Sequence, residues 1–561
     1  MPTVYVNDRP VEIGGSRLNC IQAADLGGVF VPHYCWHESL SVVASCRMCL
    51  VEVGERKPDG TVVMQPKVVP GCQTPVKDGS VIITGEYDKR DKSVEPLAYP
   101  ADFLKGGKPG ERAKKSQADT LEGLLINHPL DCPVCDKAGE CKLQDFSYNY
   151  GRSETRMVDE KNQPPNKPEL SSTITLFTDR CIMCTRCVRF TREISGTAEL
   201  AVMGRGHHEE IDTFPGRPLE NKLAGNVVDL CPVGALGSKD FLYTQRVWYL
   251  KTNDGVCSRC STGCSVHVDT NKDIVYRLRA RENKEAQGYF ICDEGRYGYH
   301  FANSGDRLTR ATVKNDGKFK PTPWMQLLPL LKQEITGSAS SLTAVLSPFL
   351  TVEEAFLYAT LFKGLSQDVK LVLGPVPMVG QDDSYPKDVR GNAVEPVKFT
   401  IRAEKCPNRR GVEAILQHFQ GEVIPFDQAP STTAMWFAGG YPDHDQLEMA
   451  IGTAWKAPSL LIAQDLFPHV VTASAAYVLP ATTAFEKEGT YVNHKGLAQS
   501  FTRSTKPPVE VRSELQVAFD LLGRRGLVQA ASVRQELAKV VPAFAALGGE
   551  AAKNGVKLNF E

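Results

Sequence analysis

The chain has 561 residues, of which 42% are hydrophobic and 23% charged, so it is long enough to bury several ordinary cores. Its formal net charge is −1 without a basic tract or an acidic tail, which predicts no nucleic-acid partner. The start, MPTVYVNDRPVEI, has no basic segment leading into an apolar stretch, and no window approaches the roughly eighteen apolar residues of a membrane span. We therefore expect a chain that is neither exported nor membrane-spanning by itself.

Seventeen cysteines are the most informative feature of the composition. Fifteen of them lie between positions 35 and 292, mostly in tight C-x2-C groups. In a chain without a secretion signal, this pattern favours metal sites over disulfides and predicts a reducing compartment. Cys20 and Cys406 lie outside the groups in apolar surroundings, which is typical of small buried thiols.

The N-terminal segment predicts a small α+β domain that ends near Asp91. TVYVNDRPVEI alternates around a polar turn, a short helix is expected near Asn19 to Asp25, and CLVEV and SVIITG supply further strands. Four thiolates in this domain can hold a 2Fe-2S cluster, two on each iron, with a zinc site or free thiols as the alternative. This first group is spaced C-x10-C-x2-C-x22-C and consists of Cys35, Cys46, Cys49 and Cys72.

A second group follows the polar connector KGGKPGERAKKSQ, in the stretch HPLDCPVCDKAGEC. It offers His128, Cys132, Cys135 and Cys141. A 4Fe-4S cluster needs one ligand per iron, and with three local cysteines His128 is the best candidate for the fourth. Neutral imidazole lacks the charge of a thiolate and should raise the reduction potential, whereas an ordinary surface or packing histidine is the alternative.

The third group begins with the triplet DRCIMCTRCVRF and ends in NVVDLCPVGAL. Bacterial ferredoxins use such a C-x2-C-x2-C triplet with a remote Cys-Pro for one cubane cluster, whereas zinc prefers two separated C-x2-C knuckles. No second triplet precedes the final cysteine, so one cluster is expected here. The predicted ligands are Cys181, Cys184, Cys187 and Cys231. Nearby Arg186, Arg189 and Arg192 either tune the potential or are solvated surface residues.

The fourth group is spaced C-x2-C-x3-C-x27-C and consists of Cys257, Cys260, Cys264 and Cys292, with a zinc ribbon as the alternative to a cluster.

Beyond about Pro321 the pattern of the sequence changes. LTAVLS, TVEEAFLYATLFKGL and VKLVLG predict strand, helix and strand, and TAMWFAGG, HDQLEMAIGTAW and SLLIAQDL repeat that order. This pattern indicates a doubly wound α/β domain. No G-x-G-x-x-G follows a strand and no phosphate-binding G-x4-G-K-[ST] loop is present, so neither motif predicts a nucleotide site in this chain.

Two stretches, HYCWHESLSVVASCRMCLVEV and NHPLDCPVCDKAGECKLQD, resemble the large iron-sulfur subunit of respiratory complex I, the NADH-quinone oxidoreductase, in its bacterial form with an extra fourth cluster. The fourth cysteine group and the segment VTASAAYVLPATTAFEKEGTYVNHKGLAQ resemble molybdopterin oxidoreductases. The sequence stops at Glu561, before the further cofactor domain of those enzymes, and Cys406 in AEKCPNRRGVEA is not expected to bind metal. The resemblance therefore implies a shortened α/β region without molybdopterin.

The same resemblance implies an α+β and α/β multidomain fold that carries one 2Fe-2S and three 4Fe-4S clusters. The expected domains are a 2Fe-2S ferredoxin-like (β-grasp) domain at 1–91, a His/Cys-ligated 4Fe-4S segment at 92–150, a 4Fe-4S ferredoxin-like domain at 151–250, a 4Fe-4S molybdopterin-oxidoreductase-like domain at 251–310 and the shortened α/β domain at 311–561.

The implied function is electron transfer in the peripheral arm of complex I, with no residue of this chain in proton or hydride chemistry. The implied partners are the FMN/NADH-binding subunit, a small 2Fe-2S subunit, a ferredoxin-like subunit with two 4Fe-4S clusters and other peripheral-arm subunits. The expected location is the cytoplasmic face of the bacterial inner membrane. Two alternatives stay open: a diaphorase-type subunit of an NAD-linked hydrogenase or formate dehydrogenase, and a molybdenum enzyme that itself oxidises formate.

Overall fold

The computed structural model describes residues 1–15, 17–452 and 455–560. The chain divides into two compact units, Met1–Trp248 and Tyr249–Glu561. Within the described residues, none of the helices is both long enough and apolar enough to cross a membrane. The finer domain boundaries expected from the sequence stay predictions.

The first unit opens with a mixed sheet that carries a short helix. Its elements are β1 (Thr3–Val6), β2 (Arg9–Glu12), α1 (Cys20–Leu26), β3 (Leu50–Arg56), β4 (Val62–Met64), β5 (Val69–Pro70) and β6 (Ser80–Ile83). The strand order is β2-β1-β6-β3-β4 with β5 on β3, and β1 and β6 pair in parallel. Asn7 and Asp8 form the two-residue turn of the first hairpin with positive φ, as a tight turn between twisted strands requires. The predicted polar turn and short helix are therefore present.

Between this sheet and the end of the unit, regular elements are short and loops are long. The elements are α2 (Ala101–Leu104), α3 (Glu111–Leu125), α4 (Lys142–Tyr150), β7 (Ile174–Leu176), α5 (Arg186–Glu193), β8 (Leu200–Met203), β9 (Glu210–Thr213), α6 (Asn226–Leu230) and β10 (Leu236–Ser238). Strands β7 and β10 form one antiparallel ribbon, and β8 and β9 form another. The second cysteine group and most of the third lie in the loops between these elements, and Cys187 of the third group lies in the first turn of α5.

The second unit opens with an antiparallel meander followed by a helix. Its elements are β11 (Lys251–Val256), β12 (Ser265–Asn271), β13 (Ile274–Ala280) and α7 (Asp293–Tyr297). The fourth cysteine group lies between β11 and β12 and at the start of α7.

The rest of the second unit is built on an eight-stranded sheet. The elements are β14 (Thr312–Asn315), β15 (Lys318–Pro321), α8 (Trp324–Gly337), β16 (Leu342–Leu346), α9 (Val352–Leu365), β17 (Lys370–Leu373), β18 (Asp383–Tyr385), β19 (Phe399–Ile401), α10 (Arg409–Gln420), β20 (Ile424–Pro425), β21 (Ala434–Ala438), α11 (His444–Ile451), β22 (Leu460–Asp465), α12 (Val470–Ser474), β23 (Tyr477–Pro480), β24 (Gly489–Val492), β25 (Leu497–Phe501), α13 (Glu514–Leu521), α14 (Ala530–Val540) and β26 (Val556–Lys557). The sheet order is β15-β14-β23-β22-β21-β16-β17-β20, with β23 through β20 all parallel.

The parallel strands are buried on both faces. Trp436 of β21 belongs to one apolar core, whereas its neighbours Met435 and Phe437 belong to a second core, because successive side chains point to opposite faces of a sheet. This double burial explains the uninterrupted apolar runs in the sequence. The predicted doubly wound α/β arrangement is confirmed, although the last residues of the predicted helix HDQLEMAIGTAW, positions 453 and 454, lie outside the described residues.

Candidate metal centres

In three of the four groups, an antiparallel strand pair next to the cysteines brings distant ligand residues together. In the first group, Leu50 pairs with Pro70, which brings Cys49 and Cys72 close together across the sheet. The Gly71 N–H also donates to the Cys49 carbonyl at 2.8 Å. Strand pairing therefore joins a local triplet to a ligand far along the chain.

The first group is a buried set of four thiols in which Cys35 is hydrogen-bonded to Cys46 and Cys72, and Cys49 to Cys72. Cys35, Cys49 and Cys72 are 1% exposed and Cys46 is 9% exposed. The Cys35 N–H donates to Cys46 Sγ at 3.4 Å, and hydrogen bonding from Cys46 and then Cys72 holds the pKa of the Cys35 thiol well below its usual range. A hydrogen bond from Cys72 likewise lowers the pKa of Cys49. The set fits two irons held by two thiolates each.

In the second group, the structure brings together the three cysteines on the loop from α3 to α4. Cys135 and Cys141 are buried, whereas Cys132 is exposed. His128 lies half-buried earlier on the same loop, and its electrostatic neighbours in the described part of the chain are Lys161, Arg180 and Asp131. Burial, followed by Lys161 and Arg180, lowers the pKa of His128 to about 4, so the imidazole is neutral, the form that binds metals. Its ligation stays a prediction.

Residues that follow the last cysteine of the third group pack against the second group. A Cβ built on Gly234 would lie 2.1 Å from Cys135 Sγ, so the backbone at 234 passes directly over this sulfur. Arg246 Nη1 donates to the Cys135 carbonyl at 2.9 Å, and Nη2 of the same guanidinium donates to the Pro133 carbonyl. The Lys142 N–H donates to the Pro232 carbonyl at 3.0 Å. The second and third groups thus form one packed assembly.

The third group surrounds a small cavity with four cysteines. Leu176 pairs with Leu236 in an antiparallel ribbon, which brings together the two chain segments that carry Cys181 and Cys231. The cavity between the sulfurs is otherwise lined mainly by apolar side chains, including Leu176, Ile182, Ile211, Val233, Ala235 and Leu236. Burial, followed by the neighbouring Cys231, raises the pKa of Cys181 to about 12 and that of Cys184 to about 11. A metal bound in this cavity would supply the positive charge needed to deprotonate these thiols.

Arginines from α5 separate into buried and exposed positions. Arg186 and Arg189 are each 5% exposed, whereas Arg192 is exposed. Arg189 Nη2 donates to the Cys35 carbonyl at 2.5 Å and to the Cys184 carbonyl at 3.1 Å. The sequence left open whether these arginines tune a cluster or lie on the solvated surface. Arg192 lies on the surface, whereas Arg186 and Arg189 do not.

The fourth group is buried in the second unit, with all four thiols at most 4% exposed. The pair Val256 and Ser265 at the end of the β11–β12 ladder brings Cys257 and Cys264 together, and the Cys257 N–H donates to the Cys264 carbonyl at 2.8 Å. The Gly295 N–H donates to Cys292 Sγ at 3.3 Å. A Cβ at Gly295 would lie 3.1 Å from Cys257 Sγ, so the backbone of α7 also closes tightly on this group.

All seventeen cysteines are free thiols. Within the described part of the chain, no three His, Cys, Asp or Glu side chains converge on one point as the ligands of a single ion do. The fit to clusters rests on the donor sets: thiol-rich groups, largely buried, with backbone N–H groups pointing at several sulfurs. The two remaining thiols, Cys20 and Cys406, are fully buried in apolar cores, as expected from the sequence.

The molybdopterin-oxidoreductase-like segment near position 487 forms a buried charge network. Lys487 Nζ lies 2.9 Å from Glu354 Oε2 and 3.7 Å from Glu514 Oε1. Thr482 Oγ1 donates to Glu514 Oε2 at 2.5 Å. Burial raises the pKa of Glu354 to about 7, which the nearby Lys487 partly opposes and Glu514 reinforces. Lys487 and Thr482 of the segment are therefore held by carboxylates from α9 and α13.

Five families match segments of the chain, and each of the first four contains one cysteine group. The first two, in chain order, are the "2Fe-2S iron-sulfur cluster binding domain" over residues 3–87 and the "NADH-ubiquinone oxidoreductase-G iron-sulfur binding region" over 117–156. The third is the "NADH-quinone oxidoreductase subunit 3, ferredoxin-like domain" over 171–237. The last two are the "molybdopterin oxidoreductase Fe4S4 domain" over 250–304 and "molybdopterin oxidoreductase" over 421–524. The predicted order of 2Fe-2S, 4Fe-4S and partial molybdopterin-oxidoreductase domains is confirmed.

Named relatives match a large part of the chain. The NADH-ubiquinone oxidoreductase 75 kDa subunit of Reclinomonas americana is 32% identical over 391 residues, which cover 69% of this chain and 51% of that protein. The mitochondrial NADH-ubiquinone oxidoreductase 78 kDa subunit of Neurospora crassa is 38% identical over 322 residues, which cover 56% of this chain and 38% of that protein. The chain is a homologue of this iron-sulfur subunit of complex I. It spans about half or less of the length of these complex I relatives.

Among solved structures, a chain of the NAD+-reducing [NiFe]-hydrogenase in the H2-reduced state aligns with a TM-score of 0.34 and 22% identity. The alignment covers 44% of this chain and 91% of that chain. A likeness this low carries no argument about either unit.

The structure also places beside the predicted ligands three residues that the cysteine spacing did not reveal. Gly234, Gly295 and Arg246 each contact a ligand residue of the predicted centres. Of these, Gly234 carried a signal, since it follows the Cys-Pro pair within CPVG, where a glycine allows close backbone approach.

Proposed function

We propose that the chain is the electron-transfer subunit of an NADH-quinone oxidoreductase, holding one 2Fe-2S and three 4Fe-4S clusters. The observation that carries the proposal is the packing of the third group against both neighbours: Arg189 joins it to Cys35 of the first group, and Gly234 joins it to Cys135 of the second. Three redox sites in contact within one compact unit suit a relay of single electrons.

When bound, the clusters supply one-electron chemistry, and the chain supplies position, shielding and charge. The first site takes Cys35, Cys46, Cys49 and Cys72, the second His128, Cys132, Cys135 and Cys141, the third Cys181, Cys184, Cys187 and Cys231, and the fourth Cys257, Cys260, Cys264 and Cys292. Apolar walls such as Leu176 and Ile211 exclude water from the third site, and buried arginines place positive charge beside its thiolates. The α/β region holds no molybdopterin in this proposal.

Electrons arrive from an FMN/NADH-binding subunit and leave toward a ferredoxin-like subunit with two 4Fe-4S clusters. The second site supports the choice of exit, because Cys132 is exposed and lies between Leu130 and Val134, which are 88% and 56% exposed. Such an apolar surface beside a redox ligand suits a covering partner. A small 2Fe-2S subunit and other peripheral-arm subunits complete the assembly at the cytoplasmic face of the bacterial inner membrane.

Anaerobic reconstitution of the full chain followed by metal analysis tests the proposal. About fourteen irons per chain are expected, from one 2Fe-2S and three 4Fe-4S clusters, without stoichiometric molybdenum. Zinc near two equivalents or molybdenum near one would overturn it. Identification of the subunits that copurify with the native chain separates a quinone-reducing assembly from a hydrogenase or formate dehydrogenase.

A further inference from the structure

Side chains on one face of helix α5 form hydrogen bonds with the backbone of the loop that carries the first group. Arg186 donates through Nη2 to the Trp36 carbonyl, and Arg189 Nη1 donates to the Ser41 carbonyl at 2.6 Å. Glu193, at the end of the helix, accepts from the Ser41 N–H at 2.8 Å. Positions 186, 189 and 193 share one face of a helix, because they are spaced by three and four residues.

The same helix also carries a ligand of the third group, Cys187. Arg189 reaches both groups at once, since its Nη2 donates to the carbonyls of Cys35 and Cys184. A planar guanidinium presents several donors in a fixed fork, which a lysine ammonium on a flexible stem does not reproduce. Arg189 therefore links the backbone of two predicted ligand residues that are far apart in sequence.

The charge of this arginine is also placed between the two groups. Arg186 and Arg189 are buried, and the hydrogen bonds described for both are to carbonyl oxygens. A buried cation is costly without a compensating negative charge. Ligand thiols of both sites surround this pair: Cys184, Cys35 and Cys231 are electrostatic neighbours of Arg186, and Cys184 has both Arg186 and Arg189 as neighbours.

We propose that Arg189 is a positioning residue that fixes the separation of the first and third metal sites and places one positive charge within reach of both. This inference rests on the proposed function, because it requires clusters at the two sites. It predicts that the two potentials and the mutual orientation of the sites respond together to changes at a single side chain.

The test compares the full-length chain, anaerobically reconstituted, with Arg189→Gln, Arg189→Lys and the control Arg192→Gln. Arg192 lies on the same helix and is exposed, so its variant changes the net charge equally without touching either site. Iron content is measured first. Redox titration followed by electron paramagnetic resonance then gives the potential of each centre, and pulsed dipolar measurements give the interaction between the reduced first and third centres.

Arg189→Gln is expected to lower both potentials, while the second and fourth centres keep theirs. Arg189→Lys keeps the charge, so both potentials should stay near the wild-type values while the dipolar interaction changes, because a single ammonium nitrogen cannot reproduce the planar fork whose two nitrogens reach three carbonyls. Loss of the first and third signals alone also supports the proposal. Unchanged potentials and dipolar interaction in Arg189→Gln would overturn it, as would loss of all four signals in both Arg189 variants. The wild-type iron count tests the proposed function separately.

Discussion

The backbone of Gly234 lies so close to the Cys135 thiol that a methyl group at 234 would be 2.1 Å from the sulfur. Gly234 follows the last ligand of the third group, Cys231, whereas Cys135 belongs to the second group. Absence of a side chain at one position thus lets two predicted metal sites pack directly on each other.

Gly234→Ala should displace the Cys135 loop and weaken the second centre. We expect loss or broadening of its tetranuclear signal, with the two-iron signal unchanged, when reconstituted chains are compared by electron paramagnetic resonance. Gly123→Ala is the matched control, because Gly123 lies inside α3 with open space around its Cα. Alanine there should stabilise the helix by about 0.5–1 kcal/mol and leave every cluster intact. Equal signals in both variants would show that the contact does not matter.

Replacement of His128 should have graded effects on the second centre. His128→Ala removes one iron ligand and should make the cluster labile, whereas His128→Cys restores four attachments but adds negative charge and should lower the potential. The measurement is a redox titration monitored by electron paramagnetic resonance, with the two-iron signal as internal reference. If His128→Ala keeps every signal at its original potential, His128 is not a ligand.

The fourth centre should be separable from the other three. Cys257→Ser or Cys292→Ser is expected to remove one tetranuclear signal and, in the assembled complex, to leave most NADH-to-quinone activity. The reason is that this group lies in the second compact unit, whereas the other three cysteine groups, which form the proposed relay, lie in the first. Cys406→Ser is the control, since that thiol is buried outside the four groups and its loss should remove no signal. A collapse of activity with normal assembly would place the fourth centre on the main path.

Asp269 should stabilise the meander of the second unit in a pH-dependent manner. Burial alone would raise its pKa, but Arg279 and Arg277, together with Thr252, outweigh burial and lower the pKa to about 2. A carboxyl whose pKa falls on folding stabilises the fold above its unfolded pKa near 4, and this stabilisation is lost as the pH falls toward about 2. Asp269→Asn should therefore cost about 2 kcal/mol at pH 7.

Hydrogen exchange of the β12 and β13 amides in the variant and the wild type measures this cost. The difference should be constant from pH 8 to pH 5 and shrink only below about pH 4. Asp254→Asn is the control, because Asp254 lies on the same sheet with its side chain 50% exposed and should contribute little. A difference that instead shrinks above pH 5 would assign the effect to another group.

The sequence predicted the metal groups well because cluster ligands recur at short spacings, and it predicted the α/β unit because strands buried on both faces read as continuous apolar runs. It could not predict how the groups meet. Arg189 and Cys35 are 154 positions apart, and nothing in the spacing of arginines distinguishes buried Arg189 from exposed Arg192. Such relations depend on which helix face turns inward, a property of the tertiary packing rather than of the motif.

Cys132 of the second group is exposed to solvent in the separated chain. Dissolved oxygen and peroxide reach this corner of the centre directly, whereas Cys135 and Cys141 are shielded. In the proposed assembly a partner covers this thiol, so air damage to the separated, reconstituted chain should begin at the second predicted centre, and this one thiolate should set the shelf life of the preparation.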